Sequence, residues 1–311
     1  MTSALSSLIP VFMLIALGFG LRKIGFLPAE QWRGIELMCY WLLFPAMLIL
    51  TLARAELAFS TMIPFVLTLV AMIVLMTLLM WLLRTPLRAW LGVDGPAYTS
   101  IFQTVTRWNG FVAFAIVDKL YGHDGLAILA IAFAIMVPYL NVVNILVLVT
   151  YAGKTRATPA LVGRALLRNP LLWAIFTGLM LKAMGISLPA PILTTLELLG
   201  RGALGITLLA LGAGLSWRAL HSAGKAVGAT IVLRLVVSPL VAAACAFVFH
   251  LSGPALVIAI LAAGVPTAVN GYVLARAMGG DADLYAAAST AQVMASFITL
   301  PVLITVSTIL A

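Results

Sequence analysis

Asn109-Gly110-Phe111-Val112 returns as Asn270-Gly271-Tyr272-Val273 about half a chain later. Both copies lie inside apolar stretches long enough to cross a membrane. A primary amide beside a helix-weakening glycine is costly in hydrocarbon unless it faces a cavity or a partner. The same costly feature, at matching places in two halves, predicts a duplicated membrane protein with its site between the halves.

The match extends outward in a shared order. Gly95-Pro96-Ala97 precedes the first copy and Gly253-Pro254-Ala255 the second; Gly122-His123-Asp124 follows the first and Gly280-Asp281 the second. Small gaps are needed to align the halves. Composition agrees with the membrane reading: 64% of the 311 residues are hydrophobic and 9% charged, with a mean hydropathy of +1.18. A water-soluble domain of this size carries far more charge. Cys39 and Cys245 fall in apolar runs and read as small apolar residues, not as a disulfide pair. The three histidines lack metal-ligand spacing, and no metal or cofactor is expected.

Spans are expected near Leu5–Leu21, Trp32–Leu52, Thr61–Leu83, Ala97–Leu120 and Leu126–Tyr151. A second set follows near Ala165–Met184, Thr194–Leu215, Ala226–Leu251, Ala255–Met278 and Asp283–Ile309. The net charge of +9 fits basic cytoplasmic loops better than nucleic-acid binding. With the N-terminus outside, the inner loops hold Arg22, Lys23, Arg33, Arg84, Arg88, Lys154, Arg156, Arg164, Arg168, Arg218, Lys225 and Arg276. The outer ones hold only Arg54, Lys119, Lys182 and Arg201. Both termini are therefore expected outside. Residues 1–151 form a first five-helix repeat, 152–164 a cytoplasmic linker, and 165–311 a second repeat of opposite orientation. The fold class is an all-α membrane protein of ten transmembrane helices, the fourth and ninth of them broken.

Pro266 lacks an N–H, so the carbonyl of Ala262 loses its helical partner. Gly264 and Gly271 weaken the ninth span on either side. A discontinuous helix is expected there, with freed backbone groups and the Asn270 amide lining a cavity; a simple proline kink is the competing reading. In the fourth span Arg107 lies near mid-membrane, where arginine is expensive unless paired or wet. We read it as a fixed charge for an anion, preferably a carboxylate that accepts two hydrogen bonds; a structural pair is the alternative. Half-helix N-termini would add N–H groups suited to a carboxylate. The substrate site is expected at Arg107, Asn109, Gly110, Pro266, Thr267, Asn270 and Gly271.

Asp118, Asn141 and Gln292 are candidates for a coupling ion, H+ or Na+. Asn144, Ser289, Thr290 and Ser296 also offer oxygen ligands, although interhelical hydrogen bonds account for such residues equally well. Asp118 beside Lys119 reads first as an interfacial ion pair. Arg234, two to three turns from Lys225, has two readings: an arginine reaching back to the inner surface, or a functional charge within the span. Glu197 and Arg201, four apart, are expected to pair. Gly200-Arg201-Gly202-Ala203-Leu204-Gly205 fits the dinucleotide glycine pattern, but it lies in a span with no preceding strand. No nucleophile–base pair stands out, so an enzyme is not expected.

The sequence resembles the auxin efflux carrier family, which includes bacterial malonate and other organic-acid permeases and belongs with the bile-acid/sodium symporter-like folds. The resemblance covers nearly the whole chain. It rests on Phe44-Pro45-Ala46, Arg107 and Asn109, Arg168-Asn169-Pro170, Pro266-Thr267-Ala268-Val269-Asn270, Leu274-Ala275, Gly280-Asp281 and Ser296-Phe297-Ile298-Thr299-Leu300-Pro301. It implies two inverted five-helix repeats whose fourth and ninth helices cross at the substrate site. Spans one, two, six and seven would form a scaffold for a moving domain of the other six, giving elevator-type alternating access in a homodimer. Relatives commonly carry a proline after the fourth-span asparagine; this chain has none, so a softer first break is expected. The function implied is secondary active or potential-driven transport of a small organic anion across the plasma membrane, in bacteria the inner membrane. A mono- or dicarboxylate such as malonate or an auxin-like carboxylate is the expected substrate. A sodium-coupled symporter is the nearest alternative, with a channel or sensor behind it.

Overall fold

The computed structural model describes residues 2–55, 59–153, 163, 166–216 and 224–311. The expected linker, but for 152, 153 and 163, lies outside the described residues, as do Lys154, Arg156, Arg164 and Arg218. Among the described residues all regular structure is helical. The elements are α1 (Thr2–Lys23), α2 (Ala29–Ala53), α3 (Phe59–Leu82), α4 (Arg84–Leu91), α5 (Gly95–Thr106) and α6 (Gly110–Ala152). After them come α7 (Pro170–Ala183), α8 (Ala190–Ala213), α9 (Lys225–Val248), α10 (Gly253–Gly264), α11 (Gly271–Met278) and α12 (Ala282–Leu310).

Among the described residues, six helical stretches are long and apolar enough to cross a membrane; α7 and α10 are apolar but shorter. α6 is two limbs joined at Gly122, whose φ of 57° and ψ of −141° only glycine adopts without strain. This is the turn expected between the fourth and fifth spans. α4 is a short helix that periodicity alone does not reveal.

α2 and α9 each contain a π-helical turn, at Cys39–Leu43 and Leu233–Val237. Each is followed at its second residue by a proline, Pro45 or Pro239. A proline cannot donate to the carbonyl four residues back, and the widened turn absorbs that mismatch. Three helix starts are capped by side chains: Asp94 accepts from Ala97 N–H at 2.9 Å, Asn169 from Leu171 N–H at 3.0 Å and Asp281 from Leu284 N–H at 2.9 Å. These caps answer the open N–H groups of a first turn.

The chain forms two compact units, each drawing helices from both halves of the sequence. The first comprises Met1–Met62, Phe111–Ala134 and Arg168–Gly214; the second comprises Ile63–Gly110, Ile135–Leu167 and Leu215–Ala311. In the first, α1 and α8 approach until backbone meets backbone. A Cβ on Gly18 would lie 2.0 Å from the Leu209 carbonyl oxygen, and one on Gly212 would lie 1.9 Å from that of Ile15. Small residues are how helices gain packing contact where lipid removes the hydrophobic drive. Phe44 packs on Phe111 and Phe114, with ring centroids 4.4 and 5.8 Å away. Glu197 pairs with Arg54 at 2.8 Å and not, as helical spacing suggested, with Arg201. Arg54 ends α2, and this contact between two helices outcompetes the exposed one-turn pair.

In the second unit the Tyr98 hydroxyl donates to the Met80 carbonyl at 2.6 Å, tying α5 to α3. Ser100 Oγ donates to the Asp281 carbonyl at 2.7 Å, and Asp281 N–H to the Pro96 carbonyl at 3.3 Å. The start of α5 is thereby held to the start of α12. Cys39 belongs to the first unit and Cys245 to the second, and both are free thiols.

Gly212→Ala should destabilise the protein by about 1–3 kcal/mol, because the added methyl overlaps a backbone oxygen. Gly205→Ala, on the same helix with nothing within 4 Å of the new Cβ, should not. Thermal unfolding of the two variants in detergent checks the contrast.

Candidate functional site

The two helix–break–helix segments start in register. α5 and α10 are both 12 residues long, and both begin at Gly-Pro-Ala. They end in the same torsions: Arg107 at φ −69°, ψ 151° and Val265 at φ −69°, ψ 152°. Val265 is driven to the extended region by Pro266, whose ring disfavours helix in the residue before it. Arg107 has no such neighbour. Thr104 and Thr106 bond back to the carbonyls of Ser100 and Phe102, both at 2.8 Å, which weakens the end of a helix. The chain then leaves helix over 107–109, where Asn109 N–H donates to the Pro266 carbonyl at 2.8 Å. The first break is therefore as complete as the second, without a proline, and the expectation of a softer one is corrected. The second break, 265–270, is the longer by three residues, which accounts for the gap needed to align the halves.

Most carbonyls of the second break, and its Thr267 N–H, find partners. Arg234 Nε donates to the Val265 carbonyl at 2.9 Å. Thr267 N–H donates to Gln292 Oε1 at 2.9 Å, and the Tyr285 hydroxyl donates to the Ala268 carbonyl. The carbonyls of Val269 and Asn270 accept from Tyr272 and Val273 at 3.1 and 3.2 Å. The Ala262 carbonyl, orphaned by Pro266, accepts from Arg234 Nη2 at 2.9 Å. Gln292 Nε2 reaches the Thr104 carbonyl at 3.1 Å and that of Thr230 at 3.3 Å. A Cβ on Gly271 would meet the Tyr285 hydroxyl at 2.1 Å, so the glycine makes room for that side chain as well as loosening the helix.

Of the residues expected at the substrate site, all seven belong to the second unit. Arg107 is 9% exposed, Asn109 2% and Thr267 0%. Gly110, Pro266 and Gly271 are buried too, while Asn270 is exposed. Arg107 Nη2 donates to Asn141 Oδ1 at 3.4 Å, which brings that coupling-ion candidate to the site. Asn144 is held by Leu140 at 2.6 Å and by Thr106 at 3.2 Å. Gln292 is a fully buried strut between the two breaks. Asp118 belongs to the first unit and sits 3.8 Å from Lys119. Ser289 and Ser296 turn back to carbonyls of their own helix, at 3.1 and 2.6 Å. Thr290 accepts from Ser216 N–H at 3.2 Å.

One residue was left open between two readings, and one was missed. Arg234 does not reach the inner surface: it is 1% exposed and sits in the π-helical turn of α9, pointed at the breaks. Tyr285 was not singled out, yet it shares a helix face with Ser289, Gln292 and Ser296, three and four residues apart, and that spacing was a usable signal. Among the described residues the buried side chains include two arginines and no Asp, Glu, Lys or His. The site thus combines a guanidinium at one break with carboxamides and a hydroxyl, an arrangement that favours an anion.

Residues 153–304 match the family model described as Membrane transport protein. An uncharacterized transporter of Methanothermobacter thermautotrophicus is 26% identical over 303 residues, covering 95% of each chain. The uncharacterized transporter YfdV of Escherichia coli is 23% identical over 326 residues, covering 99% of this chain and 98% of the relative. The chain is thus similar to membrane transport proteins over its second half and to uncharacterized transporters over nearly its whole length. It is a multi-pass membrane protein, and the interrupted helices lie in the half that matches the family model as well as in the half before it.

Gln292→Leu would remove the partner that Gln292 gives Thr267 N–H and the Thr104 carbonyl of this transporter. Each buried group so orphaned costs about 1–3 kcal/mol. A clear drop in melting temperature in detergent, larger than for Ser289→Ala, is the expected result.

Proposed function

We propose that this transporter is a secondary carrier of small organic anions, mono- or dicarboxylates such as malonate or an auxin-like carboxylate. The observation that carries the reading is Arg107. It sits at a helix break beside a second break, almost wholly buried, with no acid among the described buried residues. An arginine so placed is stabilised by an anion, and its fork matches a carboxylate. Asn109, Asn141 and Asn270 would orient the bound group. Gly110 and Gly271 begin α6 and α11, whose N-terminal N–H groups favour negative charge.

The wider architecture proposed is ten spans in two inverted five-helix repeats, residues 1–151 and 165–311 joined by a cytoplasmic linker. Both termini lie outside the plasma membrane, the inner membrane of a bacterium. The site residues all belong to one compact unit, which suits an elevator-type cycle in which that unit moves and carries the substrate. A homodimer is the proposed assembly. A negative-inside potential favours anion exit by about 2.3 kcal/mol per charge per 100 mV, so efflux can run on the potential, whereas uptake needs a coupled ion or an exchanged anion.

Counterflow in proteoliposomes tests this, with labelled malonate offered against internal mono- and dicarboxylates. The natural protein should exchange. Arg107→Gln should lose at least about tenfold in apparent affinity, since a charge-assisted hydrogen bond contributes about 1.5–3 kcal/mol. Arg107→Lys should retain part of it as a point charge, and Asn270→Ala should fall between. Unchanged exchange by Arg107→Gln would move the anion site elsewhere.

A further inference from the structure

Arg234 is the largest fully buried side chain among the described residues, and the anion site makes no use of it. Its guanidinium meets three backbone carbonyls: Val265 at 2.9 Å, Ala262 at 2.9 Å and Val105 at 3.4 Å. Val105 is in the last turn of α5; Ala262 and Val265 close α10. One side chain therefore bonds to the C-terminal ends of both half-helices. Each such end carries about half a negative charge and up to four carbonyls without helical partners. Two of them meeting inside a protein make a buried, oxygen-lined, negative place. Half-helix C-termini and unwound carbonyls of this kind are the usual ligands of a coupling cation in transporters with interrupted helices. Here the ligands are already taken, and Gln292 Nε2 takes the neighbouring Thr104 carbonyl at 3.1 Å.

We propose that Arg234 is a tethered counter-cation, whose guanidinium occupies the place where the two half-helix ends would otherwise recruit a mobile monovalent cation. The carrier then needs no sodium at its helix breaks. The π-helical turn is the device that delivers it. The extra residue turns Arg234 inward, where its planar donors satisfy three carbonyls that a spherical ion would have to bind after losing its water. The proposal rests on the carrier reading for its meaning in transport, but its structural content concerns the protein's stability and is tested without any substrate.

The experiment is thermal unfolding in detergent of the natural protein, Arg234→Ala and Arg234→Lys. Each is measured in choline chloride, sodium chloride, lithium chloride, and choline chloride with millimolar guanidinium. The natural protein should unfold at one temperature in all four. Arg234→Ala should unfold on the order of 5–10 °C lower in choline, and guanidinium, sodium or lithium should restore part of the loss. Arg234→Lys should fall between the two and stay insensitive to sodium. A natural protein stabilised by sodium over choline, or an Arg234→Ala that responds to no small cation, overturns the proposal. If Arg234→Ala does not fold, Arg234→Lys beside Arg234→Met carries the comparison. Sodium against choline in counterflow adds the transport arm: equal rates in the natural protein are expected, and sodium-stimulated exchange would overturn it. Absence of malonate exchange would count against the substrate reading alone.

Discussion

Two helices that stop inside a protein leave backbone groups that neither can satisfy, and a buried N–H or carbonyl without a partner is costly. The second unit is organised around that constraint. Asn109 N–H and the Pro266 carbonyl close on each other at 2.8 Å, so each break supplies what the other lacks. Several further groups are met by side chains from two other helices: Arg234 of α9, and Tyr285 and Gln292 of α12. Remove the meeting of the breaks and Arg107 has no reason to be buried, the carbonyls around Arg234 have no reason to converge, and Gln292 loses its double role.

The electrostatic result is a division of labour between two arginines. Arg234 neutralises the carbonyl-rich ends of α5 and α10. Arg107, which caps α5 itself, keeps 9% of its surface exposed and has a carboxamide partner in Asn141. Positive charge thus serves the protein's own backbone at one point and, in the proposed carrier, an anion at the other. A single arginine could not do both, because a guanidinium engaged with three carbonyls has few donors left.

Much of this arrangement was legible in the residues. The paired Asn-Gly and Gly-Pro-Ala motifs located both breaks, and Pro266 identified Ala262 as the orphaned carbonyl. What was hidden was tertiary. Local threonines weaken the end of α5, but the bond from Asn109 N–H to the other half, which holds the break open, is not visible in sequence. Counting from Lys225 could not decide where Arg234 points, because it measures distance along a straight helix and a π-helical turn reorients the residues in it. Glu197 was given the wrong partner because the one-turn spacing to Arg201 is visible in sequence and the approach of Arg54 is not. Tyr285 looked like one more aromatic residue in an apolar run; only the fold shows its hydroxyl serving a break.

The α1–α8 contact bears on how the chain is made. Gly18 meets the backbone at Leu209, about 190 residues later, and synthesis proceeds at about 5–20 residues per second. The first helix therefore waits on the order of 10–40 s in the bilayer before its partner exists. Through that interval its glycine face lies against lipid or against whatever helices have already entered. Small residues let helix backbones approach closely, so this face is one that later helices can pack on. The close approach of α1 and α8 therefore forms only after about two thirds of the chain has been made.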